Sequence, residues 1–417
     1  MHLDQGRHPI GQAVLDHSDL HRNASMNRPM PVEVLLELVT NDEGISGDVS
    51  RLVGEAFVQA GAQPDISSAS VGFLQEGEFT YVLVADSADV SQPLVMQVAK
   101  GSQEKYEGQT VERDYRNLRI LEQQLAANLT PRTFGHGIIT LTPELANVPV
   151  IFTEYLEGYS EINQRGNWLG MLGDCYTNVP QHLSRKFDHN ESKQIIRGMV
   201  RVLSEIYFGT YDPTKGQGLL VSDVDIERGD FVWRSFEDEN QPPIKLVTVR
   251  ELDAATPDEL ITSVLSPGRR ESALLMGPPP RLHAAGDGNS IQTAAQGLYD
   301  GIRSLVPPAQ ARRFTQDIFS TYEQIATTRA ETIFDDIQRK RIWKFDQIPS
   351  GYRNLIRNMS IIEESHRDRN KQIIEVGRAA TEKRAFKNVR RVRDKVLETI
   401  REYGTELSSV DVTAFVQ

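Results

Sequence analysis

The sequence predicts an α+β chain: a small antiparallel sheet, a larger and mostly helical part, and a further helical region at the C-terminal end. Three observations predict it. "ASVGFLQEGEFTYVLVADSADVSQPLVMQVAKG" reads as three strands, and Phe79–Ala85 and Leu94–Ala99 are β-branched and aliphatic around a polar loop holding Pro93. "TVERDYRNLRILEQQLAANL" then places Val111, Tyr115, Leu118, Leu121 and Leu125 on one helical face. Beyond residue 290 the pattern is helical throughout. It ends in an amphipathic stretch where Val389, Val392, Val396, Ile400 and Tyr403 recur at three- and four-residue spacing.

The remaining segments fall into place in order. Residues 1–30 carry four of the nine histidines without apolar periodicity, which reads as a disordered leader or an upstream start before Met26 or Met30. Residues 32–61 read as one or two short helices. "TPRTFGHG" reads as a turn-rich connection and "VPVIFTEYLEG" as a buried strand stopping at Gly158. Tyr159–Lys193 is polar and irregular, long for a connection. A strongly periodic helix follows, with Ile195, Ile196, Met199, Val202, Leu203 and Ile206 on one face. "LLMGPPPRLHAAGDGNS" reads as a linker or loop. The expected division is 1–30 leader, 31–157 first lobe, 158–289 second lobe and 290–417 helical region.

Composition narrows the class. With 39% hydrophobic and 25% charged residues the 417-residue chain has a globular balance, enough for one large bilobal domain or two to three ordinary ones. A single cysteine, Cys175, leaves no internal disulfide framework and no cysteine-based zinc site. No apolar run is long enough to span a bilayer, and no secretory signal pattern opens the chain, so a cytoplasmic setting is expected. The net charge of −12 argues against nucleic acid as a partner of the whole molecule. Residues 350–404 nevertheless hold fourteen Arg and Lys against eight Asp and Glu, which leaves +6 there and −18 elsewhere. Acids interleave with these bases and no aromatic stacking pattern accompanies them, so this tail is expected to dock on the acidic body or on a protein partner.

Three segments, in order, carry a family resemblance. "RDYRNLRIL" with "TPRTFGHG" looks like the αC helix and following turn of the protein-kinase-like fold. "VIFTEYLEG" is similar to its hinge, and "DVDIERGDFVW" resembles its catalytic loop. The likeness is to the aminoglycoside and choline phosphotransferase branch, over roughly residues 65–255. It implies a bilobal protein-kinase-like fold, with ATP and Mg²⁺ as cofactors and phosphoryl transfer from ATP to a hydroxyl. In that chemistry the protein positions phosphates, neutralises their charge and orients the acceptor. Carried over, Asp225 is the base that accepts the acceptor's proton and Asp230 the metal ligand. Backbone groups at Glu154, Tyr155 and Leu156 meet the adenine edge, and Gly72 and Gly77 form the phosphate loop. The plainer reading of Asp225 and Asp230 is a solvated acidic turn before a strand.

The chain departs from the family pattern at several positions. Gln97 stands where the phosphate-binding lysine belongs, with Lys100 three residues on. The two face opposite ways by strand alternation, and Lys100 is favoured because it carries the charge. Asp114, on the buried face of its helix, is expected to be the acid that orients this lysine, since a buried acid is seldom left unpaired. Thr248 replaces the second metal aspartate. Glu76 and Glu78 flank Gly77 and would repel phosphate. Three functions stay open: an active phosphotransferase acting on an unidentified hydroxyl-bearing small molecule or protein; a pseudokinase adaptor binding nucleotide or a partner; and a helical interaction module whose N-terminal half supports it.

Overall fold

A computed structural model describes residues 8–9, 35–36, 39, 47–63, 69–76, 79–125, 128–167, 171–179, 183–186, 189–221, 230–234, 243–264, 289–339 and 389–416. They fall into two compact units. The first draws on Met1–Gln124, Thr130–Tyr159 and Thr248–Glu251, the second on Leu125–Leu129, Ser160–Val247 and Leu252–Gln417.

The first unit is built on a six-stranded sheet: β1 (His8–Pro9), β2 (Ser70–Glu76), β3 (Thr80–Asp86), β4 (Leu94–Ala99), β5 (Thr133–Ile139) and β6 (Val148–Glu154). Their order is β1-β2-β3-β4-β6-β5, and every neighbouring pair is antiparallel. Helix α1 (Gly47–Gln59) covers one face. Its Leu52, Val53, Ala56 and Phe57 share a buried cluster with Leu83, Met96, Val98, Val150 and Phe152, which alternation puts on one side of the strands. "TFGHGII", expected in part as a turn, is strand β5. Its glycines are there for approach: a Cβ on Gly137 would stand 2.5 Å from the Leu52 methyls. Helix α2 (Tyr106–Gln124) follows β4, and its buried stripe is Val111, Asp114, Leu118 and Leu121. A carboxylate thus interrupts an apolar seam at helical spacing.

In the second unit, β7 (Ser160–Asn167), β8 (Met171–Val179) and β9 (Leu183–Lys186) form an antiparallel meander. The sequence reads irregular here because no clean apolar–polar alternation runs through this polar stretch. Strands β11 (Phe231–Trp233) and β12 (Ile244–Leu246) extend the sheet in the order β12-β11-β7-β8-β9. A separate pair joins β10 (Gly218–Val221) to β13 (Leu252–Ala255). Around them pack α3 (His189–Gly209), α4 (Pro257–Val264), α5 (Asn289–Arg303), α6 (Pro308–Gln338) and α7 (Val389–Ser408). On α3, Ile195, Met199, Val202 and Ile206 are buried as the periodicity requires. The hydroxyl of enclosed Tyr207 donates to the Ala255 carbonyl (3.0 Å), tying α3 to β13. The basic helix α7 lies on α6, where Arg393 meets Glu331 at 3.5 Å. Among the described residues no helix is long and apolar enough to cross a membrane.

Helices α3 and α5 cross closely. A Cβ on Gly297 would sit 2.5 Å from the Arg197 carbonyl oxygen, and one on Gly301 would sit 2.6 Å from the Ser204 Cβ. Backbone cannot yield as a flexible side chain does. Gly297→Ala is therefore expected to cost about 1–3 kcal/mol, from forced separation of two packed helices. Urea unfolding of the two proteins side by side measures it, and equal midpoints would contradict the close crossing.

Candidate nucleotide site

Within the first unit the segment that the resemblance likens to a hinge begins where β6 ends. The Glu154 amide donates to the Arg132 carbonyl (2.8 Å), and its carboxylate accepts from the Arg132 amide (3.2 Å). The Tyr155 carbonyl accepts from the Gln92 side chain at 3.2 Å. The Leu156 carbonyl accepts the Tyr159 amide (3.1 Å) in a turn where Gly158 holds φ +79°, a left-handed value suited to glycine. Glu154, Tyr155 and Leu156 are thus fixed at the end of a buried strand, each half-buried. Gly72 lies inside β2 opposite Val84, just before a bulge between Phe73 and Gln75. Gly77 lies outside the described residues.

The two candidates for the lysine position, Gln97 and Lys100, separate as strand alternation demands. Gln97 shares a cross-strand row with Val82, Ile151 and His136, and Tyr115 of α2 stacks on the His136 ring (4.4 Å, 27°). Lys100 lies just past the end of β4. Its amide donates to the Phe79 carbonyl (2.9 Å), and its ammonium stands 5.1 Å from the centre of the Tyr81 ring. Tyr81 opposes Val98, on the face that α1 covers. The side of the sheet on which α2 stacks therefore carries the Gln97 amide, and the Lys100 charge sits on the other side.

Asp114 is buried, and its carboxylate meets the segment Thr248–Glu251. It accepts the Val249 amide, and Asn117, one turn further along α2, donates to the Val249 carbonyl at 2.8 Å. Two side chains of one helix thus capture both backbone groups of a single residue. Burial pushes the Asp114 carboxyl up to about 7, while the Val249 hydrogen bond and then the Arg250 charge work against that rise. The cation acting on Asp114 is thus Arg250, where the sequence pattern had pointed to Lys100. Arg250 is buried at 9% exposure, and its guanidinium lies 5.7 Å from the Phe79 ring centre. Phe79 in turn meets Tyr106, at the start of α2, edge-on at 5.5 Å.

In the second unit, Asp225 lies outside the described residues. Asp230 immediately precedes β11, is fully enclosed, and accepts the Val247 amide on its backbone carbonyl (2.8 Å). Lys245 is also fully enclosed and pairs in register with Val232. Asp230 opposes Val247, so Asp230 and Lys245 project from the same face of the β11–β12 ladder. They are diagonal neighbours in that ladder, roughly 7–8 Å apart along the backbone. Arg250, Asn117 and Lys245 were not singled out in the sequence. The available signals were a lysine inside the apolar run "IKLV" and an arginine two residues after Thr248.

Among the described residues, two features work against a divalent metal. Mg²⁺ needs hard oxygen ligands, yet Thr248 offers none with charge and Arg250 adds a fixed positive charge two residues away. Asp230 shares its enclosed face with an ammonium. Among the described residues no group of three or more His, Cys, Asp or Glu stands together to hold an ion.

No protein-family model matches the chain, and a comparison with curated proteins finds no match. Among solved structures, the chain is similar to the spectinomycin phosphotransferase APH(9)-Ia, a complex with ADP and spectinomycin. That similarity has 14% identity over 79% of this chain and 93% of that one, with a TM-score of 0.29. It is also similar to the BubR1 kinase domain, at 9% identity over 44% of this chain and 47% of that one, with a TM-score of 0.28. Neither neighbour assigns a role to any residue of this chain.

Proposed function

We propose that this chain is a kinase-like nucleotide-binding protein that acts chiefly as an adaptor for a partner, with metal-assisted phosphoryl transfer reduced. One observation carries the reading. Neutral groups, Gln97 and Thr248, occupy the positions where transfer chemistry asks for an ammonium and a carboxylate, while the hinge Glu154–Leu156 stays ordered at the end of β6. An adenine needs only such backbone edges and an apolar surround. Transfer needs the phosphates clamped and their charge met.

The second reading is an active phosphotransferase that uses Asp225 on an unidentified hydroxyl-bearing substrate. The five-residue spacing of Asp225 and Asp230 before a strand favours it. ADP separates binding from chemistry. At a hundredfold excess over Kd it is expected to stabilise the protein by about 2.7 kcal/mol, and Asp225→Asn is expected to keep that stabilisation. Turnover of ATP that disappears in Asp225→Asn would favour the transferase; no stabilisation by ADP would end the nucleotide reading.

A further inference from the structure

The six-stranded sheet of the first unit has β2 next to its outermost strand, and that strand covers one end of it only. β1 pairs with β2 at two positions, His8 with Val71 and Pro9 with Ser70. The inner side of β2 is engaged with β3 from Ser70 to Glu76, through a bulge between Phe73 and Gln75. On the outer side, no described residue pairs with residues 72–76. Yet Gly72 is buried, and Phe73, Leu74 and Gln75 are half-buried rather than exposed. Phe73 also packs against the core cluster under the sheet.

A strand of two residues gains too few hydrogen bonds to offset the ordering of its backbone, about 1–2 kcal/mol per residue. β1 is therefore best understood as the end of a longer ladder. That ladder can grow in one direction only, because β2 starts at Ser70, opposite Pro9. Stepping back from His8 in antiparallel register sets Arg7 against Gly72 and Gly6 against Phe73, and residues 3–7 suffice to reach Glu76. Residues 1–7 lie outside the described residues, so the register of β1 is what assigns them. Their sequence, "MHLDQGR", suits the place. It holds no proline, so its amides can donate along the ladder, and Pro9 falls on an outermost strand, where a missing N–H is tolerated. Gly6 falls across from an aromatic ring, a pairing that covers the backbone a strand glycine leaves bare.

We propose that residues 1–7 continue β1 as an antiparallel strand along the outer side of β2. The chain's own N-terminal arm then takes the place where a strand of a second copy would add. An open edge of this length is a template for pairing with other chains. The arm is tied to that edge through His8 and Pro9, so it binds as an intramolecular segment and outcompetes strands that must first be recruited from solution. The inference does not depend on nucleotide binding; it assigns the outer edge of β2 a resident partner within the same compact unit.

The test is amide hydrogen exchange of the full-length chain beside its Gln5→Pro variant, which removes a donor from the middle of the arm. Exchange along residues 72–76 is expected to be about tenfold faster or more in the variant, with α1 and β4 unchanged. A synthetic peptide of residues 1–12, added to the variant, is expected to restore the slow exchange. Self-association that appears in the variant and is absent from wild type would support the arm as the cover of this edge. Equal exchange of residues 72–76 in both proteins would overturn the proposal. Exchange of residues 3–7 at the rate of an unstructured chain in wild type would overturn it without any variant. A wild-type dimer protected along β2 only at high protein concentration would also overturn it, by giving the edge to a second copy.

Discussion

Lys245→Met is expected to destabilise the protein by about 3–5 kcal/mol, the range for removing one of two opposite charges enclosed in the same ladder. Lys245 has no exposed surface, and Asp230, its diagonal neighbour across β11 and β12, has none either. Taking away the ammonium leaves the enclosed Asp230 carboxylate in a ladder that has lost its enclosed cation. Asp230→Asn in the same background removes that enclosed negative charge. The double variant is expected to recover a large part of the loss, with a coupling of about 2 kcal/mol or more. Urea unfolding of all four proteins measures this. Strictly additive losses would mean that the two enclosed charges do not serve each other, and Asp230 would again be available as a metal ligand.

The second large effect concerns Asp114 and pH. Its carboxyl is pushed up from 3.8 to about 7 in the folded chain, chiefly by burial. The folded state therefore binds this proton more tightly than the unfolded state. The contribution to stability is fully present below pH 3.8, is lost as pH rises toward about 7, and is constant above. Taken alone, the shift corresponds to a loss on the order of 4 kcal/mol across that window. Asp114→Asn cannot titrate, yet it still offers an oxygen to the Val249 amide. It is expected to melt higher than wild type at pH 8 and to show no advantage at pH 4. Melting curves at the two pH values check this. A variant less stable than wild type at pH 8 would show that the ionised carboxylate, with Arg250 beside it, is the favoured folded form.

Much of the first sheet and the main helices could be read from the sequence because their patterns are local. Strands β3 and β4 are runs of Val, Leu and Met beside polar turns, and α2 and α3 repeat apolar residues at helical spacing. The meander β7–β9 could not be read this way, because its sequence is mostly polar without a clean alternation and its strands are defined by pairing with each other. Strand β5 was half legible: its glycines suggest a turn, and only the packed Leu52 shows why they are needed. In the candidate site, burial of Asp114 followed from its place between Val111 and Leu118. Its partner did not, because the Val249 amide lies 135 residues away along the chain. Alternation separated Gln97 from Lys100, but which of them lay on the α2 side required the stacking of Tyr115 on His136. Lys245 sits inside an apolar triplet, and a strand of three residues is too short for its period to say whether the ammonium faces in or out.

Hydrogen exchange of the full-length chain with and without ADP tests the central claim most directly, because it reports where the nucleotide lies as well as whether it binds. Slowed exchange is expected at the Glu154–Leu156 amides, along β2 and β3, and at Val249 and Arg250. Unchanged exchange in all these segments at saturating ADP, or protection confined to helices α5 to α7, would contradict a nucleotide site built on the first unit.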